Sequence, residues 1–160
     1  MSNKKLAIIA TKGTLDWAYP PFILASTAAA LGYDVQIFFT FYGLQLLRKS
    51  LDHLKVSSLG NPGMPMPMAM DKWFPVLAQA LPGMQSMMTM MMKQKMRSKG
   101  VASLEDLRNL CAEADVKMIG CQMTVDLFGF QPSDFIPGIE MGGAATFFEF
   151  AGESDICLFM

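Results

Sequence analysis

The stretch Ile119–Phe130, IGCQMTVDLFGF, passes directly from a short apolar run into a helical pattern, with Cys121 at the junction. The apolar run is typical of a buried strand, and the spacing of Met123, Leu127 and Phe130 favours a helix immediately after it. A strand followed at once by a helix is the unit from which parallel α/β sheets are built. A thiol at this junction serves either chemistry or packing.

The rest of the chain repeats this alternation. Five strands are predicted, at Lys4–Ala10, Tyr33–Phe41, Val116–Gly120, Gly138–Met141 and Asp155–Met160. Helices are predicted at Phe22–Leu31, Gly43–Lys49, Gln122–Phe130 and Gly143–Gly152, with another that begins at the capping residue Ser103. Near-continuous apolar strands require cover on both faces of a sheet. Right-handed crossovers then predict an open, doubly wound, mostly parallel five-stranded α/β sheet, a three-layer arrangement of the flavodoxin type.

Residues 57–100 form an insertion between the second and third strands of what we expect to be a single domain, residues 1–160. Segment Ser57–Met70 carries three prolines and two glycines, which predicts a loop. Two helical pieces follow, Lys72–Ala80 and Gly83–Lys99, and predict a Met-rich hairpin. Methionine suits adaptable interfaces, so we expect the hairpin to pack on the domain or on another subunit. The uncharged run 73–92 leaves contact with a membrane surface as the alternative.

Composition narrows the classes of function. The chain has 160 residues, of which 52% are hydrophobic, and a net charge of −1, which fits a folded domain and argues against a nucleic-acid binder. The N-terminal apolar run is too short for a signal peptide. Three cysteines without a Cys-x-x-Cys pair indicate free thiols in a reducing compartment, so we expect a cytoplasmic protein. One histidine gives no zinc pattern, and we predict neither a metal nor a cofactor.

Cys121 falls beyond the carboxyl end of a strand, where the ligand sites of open α/β sheets lie. Helix N–H groups and the helix dipole favour an anion there, and they should lower the pKa of the thiol. Such a thiolate is a nucleophile and can hold a persulfide. The competing interpretation is a small buried apolar residue, which we favour for Cys111 and Cys157. The residues alone leave both interpretations of Cys121 open.

Loops after the other strands should line the same crevice. The substrate-binding candidates are Thr11 and Gly13, Tyr42 and Gly43, Met123 and Thr124, and Gly142. The backbone N–H groups of Met123 and Thr124 are the expected anion donors. A nucleotide or small anion could occupy the same crevice, although the first loop, TKGT, carries neither a G-x-G-x-x-G nor a Walker pattern.

The string GCQMTVDLFGF, together with the insertion MPMPMAM…LPGMQSMM, resembles the DsrE/DsrF-like family over nearly the whole chain. Within that family it is similar to the branch with a Met-rich insertion. The resemblance implies a sulfur carrier or sulfurtransferase that holds sulfur as a cysteine persulfide, and the family's sulfur-carrying cysteine falls on Cys121. It also implies exchange with TusA-type sulfur carriers and rhodanese-like proteins, and a closed homo-oligomer such as a trimer.

Two interpretations of function follow. In the first, the Cys121 thiolate attacks the outer sulfur of a donor persulfide or thiosulfonate, and a partner thiolate then removes that sulfur by the rules of thiol exchange. In the second, the chain is a non-catalytic docking or membrane-associated module that acts through its Met-rich hairpin. The variant Cys121→Ser separates the two, because sulfur loading is lost under the first while partner binding survives under the second.

Overall fold

The sheet is parallel throughout. A computed structural model describes residues 3–57 and 81–160. The strands are β1 (Lys5–Ala10), β2 (Asp34–Phe39), β3 (Lys117–Cys121), β4 (Glu140–Gly142) and β5 (Ile156–Phe159). They pair in the order β4-β3-β2-β1-β5, and each neighbouring pair runs parallel. The α/β sheet predicted from the sequence is confirmed, and each strand begins and ends within two residues of its predicted bounds.

The helices lie between the strands. They are α1 (Leu15–Ala30), α2 (Met84–Ser98), α3 (Leu104–Glu113), α4 (Gln122–Phe128) and α5 (Ala144–Ala151), with 3₁₀-helices at Phe41–Leu47 and Pro132–Asp134. Ser103 caps α3 in a capping box with Asp106, as its sequence predicts. The predicted helix Lys72–Ala80 and most of the predicted loop before it lie outside the described residues.

Helix α1 begins at Leu15, seven residues before the predicted start at Phe22, and contains Pro20 and Pro21. Each proline in a helix interior costs about 3 kcal/mol. Burial of a side chain such as Leu15, Tyr19 or Phe22 gives about 1.5–3 kcal/mol, so the packed face of the helix offsets the prolines. The prediction was wrong because it placed the two prolines in a loop.

The segment after β2 contains the short helix predicted at Gly43–Lys49, with different bounds. It is the seven-residue 3₁₀-helix Phe41–Leu47, which begins two residues earlier. Strand β2 ends at Phe39 and the 3₁₀-helix begins at Phe41, so Thr40 is the single residue between them.

The two faces of the sheet are covered unequally. One face lies under α1, α2 and α3 and carries the large core. The other face carries a smaller cluster, and the described helical residues in it belong to α5. The cluster consists of Ala7, Phe38, Ile119, Cys121 and Phe147.

Strand β5 lies at the edge of this sheet. Its Ile156, Cys157 and Phe159 are exposed, so the expectation that Cys157 is buried was wrong. As an edge strand with little helical cover, β5 leaves much of its surface open, although Leu158 packs against the large core.

Helix α2 packs on the large core through methionines spaced four residues apart. Met88 is buried there, with Met84, Met92 and Met96 partly buried beside it. Three other methionines of α2, Met87, Met90 and Met91, are exposed. Within residues 3–57 and 81–160, no helix combines the length and apolar character that crossing a membrane requires.

Candidate functional site

Cys121 is both the last residue of β3 and the residue that precedes the first turn of α4. Its backbone is extended, with φ −69° and ψ 112°, so the N–H groups of the first turn of α4 remain available to its side chain. In the sheet it lies opposite Gly142 of β4. The residue is only 6% exposed, which places the thiol in a recess at the carboxyl edge of the sheet.

Cys121 lies among polar groups of Thr40, Met123 and Thr124 that favour its thiolate form. Burial by itself raises the pKa of this thiol, but donation from the Thr124 hydroxyl, the Thr124 N–H, the Thr40 hydroxyl and the Met123 N–H outweighs it. The net effect is a pKa below the ordinary value of 9.0. Two of these groups, the N–H of Met123 and the N–H of Thr124, belong to the first turn of α4, so the start of the helix contributes to the lowered pKa.

The hydroxyls of Thr40 and Thr124 contact each other. Their Oγ1 atoms are 3.3 Å apart, and Thr124 is fully buried. The backbone N–H of Phe41 donates to Thr124 Oγ1 over 3.2 Å. Each hydroxyl has a single hydrogen, so Thr124 can point its hydrogen toward Cys121 only while the hydrogen of Thr40 serves the bond between the two threonines. Phe41 makes this contact with a φ of 48°, a backbone conformation that is uncommon for a residue other than glycine.

Thr40 was not among the predicted site residues. The predicted second strand extends to Phe41, which places Thr40 inside a strand and not among the loop residues that were expected to line the crevice. The available signal was that Thr40 follows the apolar run DVQIFF, which ends at Phe39.

Four predicted site residues form a tight junction where β1 and β2 end. The N–H of Gly43 donates to Thr11 O over 3.0 Å. A Cβ added to Gly43 would lie 2.1 Å from Ala10 O, and one added to Gly13 would lie 2.4 Å from Tyr42 O. Both glycines are therefore required by the close approach of backbones. The junction is connected to the surroundings of Cys121 by Thr40, which accepts from the N–H of Gly43, and by Phe41, which donates to Thr124.

Gly142, the remaining candidate, lies beside Cys121 in the sheet. A Cβ there would approach the Thr146 side chain and Ile119 Cγ2 to 3.0–3.1 Å. The absence of a side chain thus lets α5 pack closely over the end of β4, next to the thiol.

A group of exposed apolar side chains lies beside the recess. This apolar rim consists of Phe41, Tyr42, Met123, Leu127 and Phe128. The rings of Tyr42 and Phe128 stack with their centroids 5.7 Å apart, which joins the loop after β2 to α4. A recessed thiol bordered by exposed apolar groups can be approached by a narrow protruding segment of another molecule.

The other two thiols have different surroundings. Burial raises the pKa of Cys111 to about 11, and its Sγ–H donates to Phe22 O over 3.4 Å. Cys157 lies exposed on β5. Within the described residues, Cys121 is the cysteine whose pKa is lowered by its contacts.

The fold and the site together place this protein in a general class: parallel α/β proteins with a cysteine of lowered pKa at the carboxyl end of an interior strand. The chain belongs to the DsrE/DsrF/DrsH-like family, whose sequence model matches residues 2–159.

Individual relatives agree with this assignment. The sulfur carrier protein DsrE2 of Allochromatium vinosum is 76% identical over 160 residues, with 100% of each chain covered. The uncharacterized protein YrkE of Bacillus subtilis is 32% identical, with 99% of this chain and 98% of that protein covered. Among solved structures, the ychN protein from E. coli is similar with a TM-score of 0.55 over 98% of this chain and 99% of that one. At 12% identity, this last likeness shows the fold alone.

Proposed function

We propose that this protein is a sulfur carrier that holds sulfane sulfur as a persulfide on Cys121 and exchanges it with partner thiols. The observation that carries the proposal is the position of Cys121 between β3 and the first turn of α4, at the carboxyl edge of the sheet, where the groups of Thr40, Met123 and Thr124 lower the pKa of its thiol. The 76% identity to a protein named as a sulfur carrier supports the same role. Free thiols fit a reducing, cytoplasmic setting.

The chemistry is an exchange without net oxidation or reduction. The Cys121 thiolate attacks the outer sulfur of a donor R–S–SH, the new bond joins the two sulfurs, and the donor S–S bond breaks to release RS⁻. Cys121 then carries –S–SH, whose anion accepts the hydrogen bonds that the thiolate accepted before. Transfer to an acceptor thiolate is the same step in the opposite direction.

The partners we propose are TusA-type carriers and rhodanese-like proteins, which the family resemblance implies. Two features of the site support a protein partner. Cys121 is recessed, so a partner must deliver its thiol on a protruding loop or tail. The apolar rim offers exposed aromatic and methionine side chains of the kind enriched in protein interfaces.

The test is intact mass of the reduced protein after incubation with polysulfide, thiosulfate or tetrathionate. We expect one added sulfur (or one thiosulfonate group) on the wild type and on Cys157→Ser, and none on Cys121→Ser. Cys157→Ser is the matched control, because it removes an exposed thiol and leaves the site intact. An unmodified Cys121 in folded protein, or label on Cys111 instead, would refute the proposal.

We also propose that the protein is a homo-oligomer. The exposed apolar side chains of β5 and α5, Phe159 and Phe148 among them, support a subunit contact on the less covered face of the sheet. The sequence placed the contact on the Met-rich insertion, where α2 exposes Met90. Light scattering distinguishes the surfaces: the mass falls in Phe148→Ser/Phe159→Ser if the first forms the contact, and in Met90→Gln if the second does. A monomeric wild type would refute both.

The docking function stays a second candidate because of one observation on α2. Its exposed Met87, Met90 and Met91 are followed along the helix by Lys93, Lys95, Arg97 and Lys99, with no acidic residue on the helix. Apolar and cationic groups on one helix suit the surface of an anionic membrane. Flotation with vesicles that contain phosphatidylglycerol tests this, and equal recovery with neutral vesicles would count against it.

A further inference from the structure

Arg108 is a charged residue in the middle of α3 that no sequence motif marks. It is only 3% exposed. Within the described residues no ion pair joins it to a carboxylate, and its Nε has no hydrogen-bond partner there. A buried cation without a carboxylate partner is costly, so its contacts deserve a physical explanation.

Those contacts lie at one end of the 3₁₀-helix Phe41–Leu47. Arg108 Nη1 donates to Leu46 O over 2.9 Å and to Arg48 O over 2.6 Å. The Leu47 carbonyl between them accepts from the N–H of Ile136 over 3.0 Å. The carbonyl groups at a helical C-terminus carry partial negative charge, and a cation placed there stabilises the helix.

The opposite end of the same 3₁₀-helix belongs to the thiol site. Phe41, its first residue, donates its N–H to Thr124 Oγ1, and Thr124 lies three residues after Cys121 in the first turn of α4, where it lowers the pKa of that thiol. The middle of the helix also packs against the site: a Cβ on Gly120, the residue before Cys121, would lie 3.2 Å from Leu44 and 3.6 Å from Leu47.

A 3₁₀-helix of seven residues is unusually long, because runs of more than three or four residues are uncommon. Contacts at both of its ends help to hold this helix in position. We propose that Arg108 is a positioning residue for the Cys121 site, holding the C-terminal end of this 3₁₀-helix so that Phe41 meets Thr124 at the other end. The inference rests on the proposed function only for the role of Cys121 as the residue that carries sulfur.

The test measures the thiol itself, with no sulfur donor present. In a Cys157→Ser background, the rate of alkylation of Cys121 by iodoacetamide is followed against pH, and peptide mass confirms the site. We expect R108M to slow alkylation at neutral pH by about threefold to tenfold and to move the midpoint of the profile upward, because the Thr124 contact is weakened but not removed. R108K should fall between wild type and R108M, since one ammonium cannot reproduce the guanidinium geometry.

The control is Leu104→Ala, which removes a buried side chain from the same helix without touching the 3₁₀-helix contacts. It should weaken the fold and leave the alkylation profile unchanged. A wild-type profile in R108M, or in R108K should R108M fail to fold, overturns the inference, as does an equal change in Leu104→Ala. Loss of sulfur loading with a normal alkylation profile would instead refute the proposed function and leave the role of Arg108 standing.

Discussion

Thr124→Val tests the hydrogen bonding of the Cys121 thiolate most directly. Valine has nearly the shape of threonine, and residue 124 is fully buried, so the packing should survive. The change removes the hydroxyl that donates to Cys121 and that accepts from the N–H of Phe41. A hydrogen bond to a charged group contributes about 1.5–3 kcal/mol.

At about 1.4 kcal/mol per factor of ten, losing this bond should lower the thiolate population at neutral pH by about tenfold or more. The assay is iodoacetamide alkylation of Cys121 across a pH range in the Cys157→Ser background. We expect the rate below the midpoint to fall by that factor, while the plateau at high pH stays at the wild-type value. Thr27→Val is the control, because that hydroxyl lies on the exposed side of α1 and donates to Ile23 O.

Stability gives an independent check of the same interaction. The pKa of Cys121 is lower in the folded chain than the ordinary value of 9.0, so the unfolded chain binds more protons between the two values. Stability from the thiolate is therefore fully present above pH 9.0 and is lost as the pH falls through the folded pKa. Thr124→Val should flatten this dependence in urea unfolding. An unchanged alkylation profile in Thr124→Val would refute the role of the hydroxyl.

Three further changes test other parts of the structure. Cys111 has its pKa raised to about 11, so stability should fall by up to about 3 kcal/mol as the pH rises from 9.0 to 11, and urea unfolding of Cys111→Ala should lack this slope. Gly43→Ala places a Cβ 2.1 Å from Ala10 O and should cost about 3 kcal/mol, whereas Gly143→Ala, with nothing within 4 Å, should cost far less; equal costs would contradict the clash. Asp115 has a φ of 57°, so Asp115→Gly should stabilise the chain by about 0.5–1 kcal/mol, seen as a higher Tm; a lower Tm would show that the aspartate is not strained.

The sheet could be predicted because its strands are apolar runs bounded by glycine, proline or polar residues. The position of the thiol could be predicted for a related reason. Helix α4 follows β3 directly, without a loop, so Cys121 lies at the carboxyl edge of the sheet. Local pattern and tertiary structure agree at this point in the chain.

Other features depend on contacts that the local pattern does not contain. The start of α1 depends on how well Leu15 and Tyr19 pack against the sheet, which outweighs the local cost of Pro20. The role of Thr40 depends on where a strand ends, and strand ends are the least certain part of any pattern. In the sequence, Arg108 has the pattern of an ordinary charged residue on a helix. The carbonyl groups that it contacts are brought to it only by the folded chain.

The position of β5 has a consequence for the order of folding. This strand pairs with β1, where Ile156 lies opposite Leu6, across almost the full length of the chain. Contacts between residues so distant in sequence form slowly, because a long loop must close first. We therefore expect β1 to β4 to assemble first and β5 to dock last. The thiol site, built from β2, β3 and α4, would then be complete before the sheet is. Pulsed hydrogen exchange during refolding should show the β5 amides protected after those of β2 and β3.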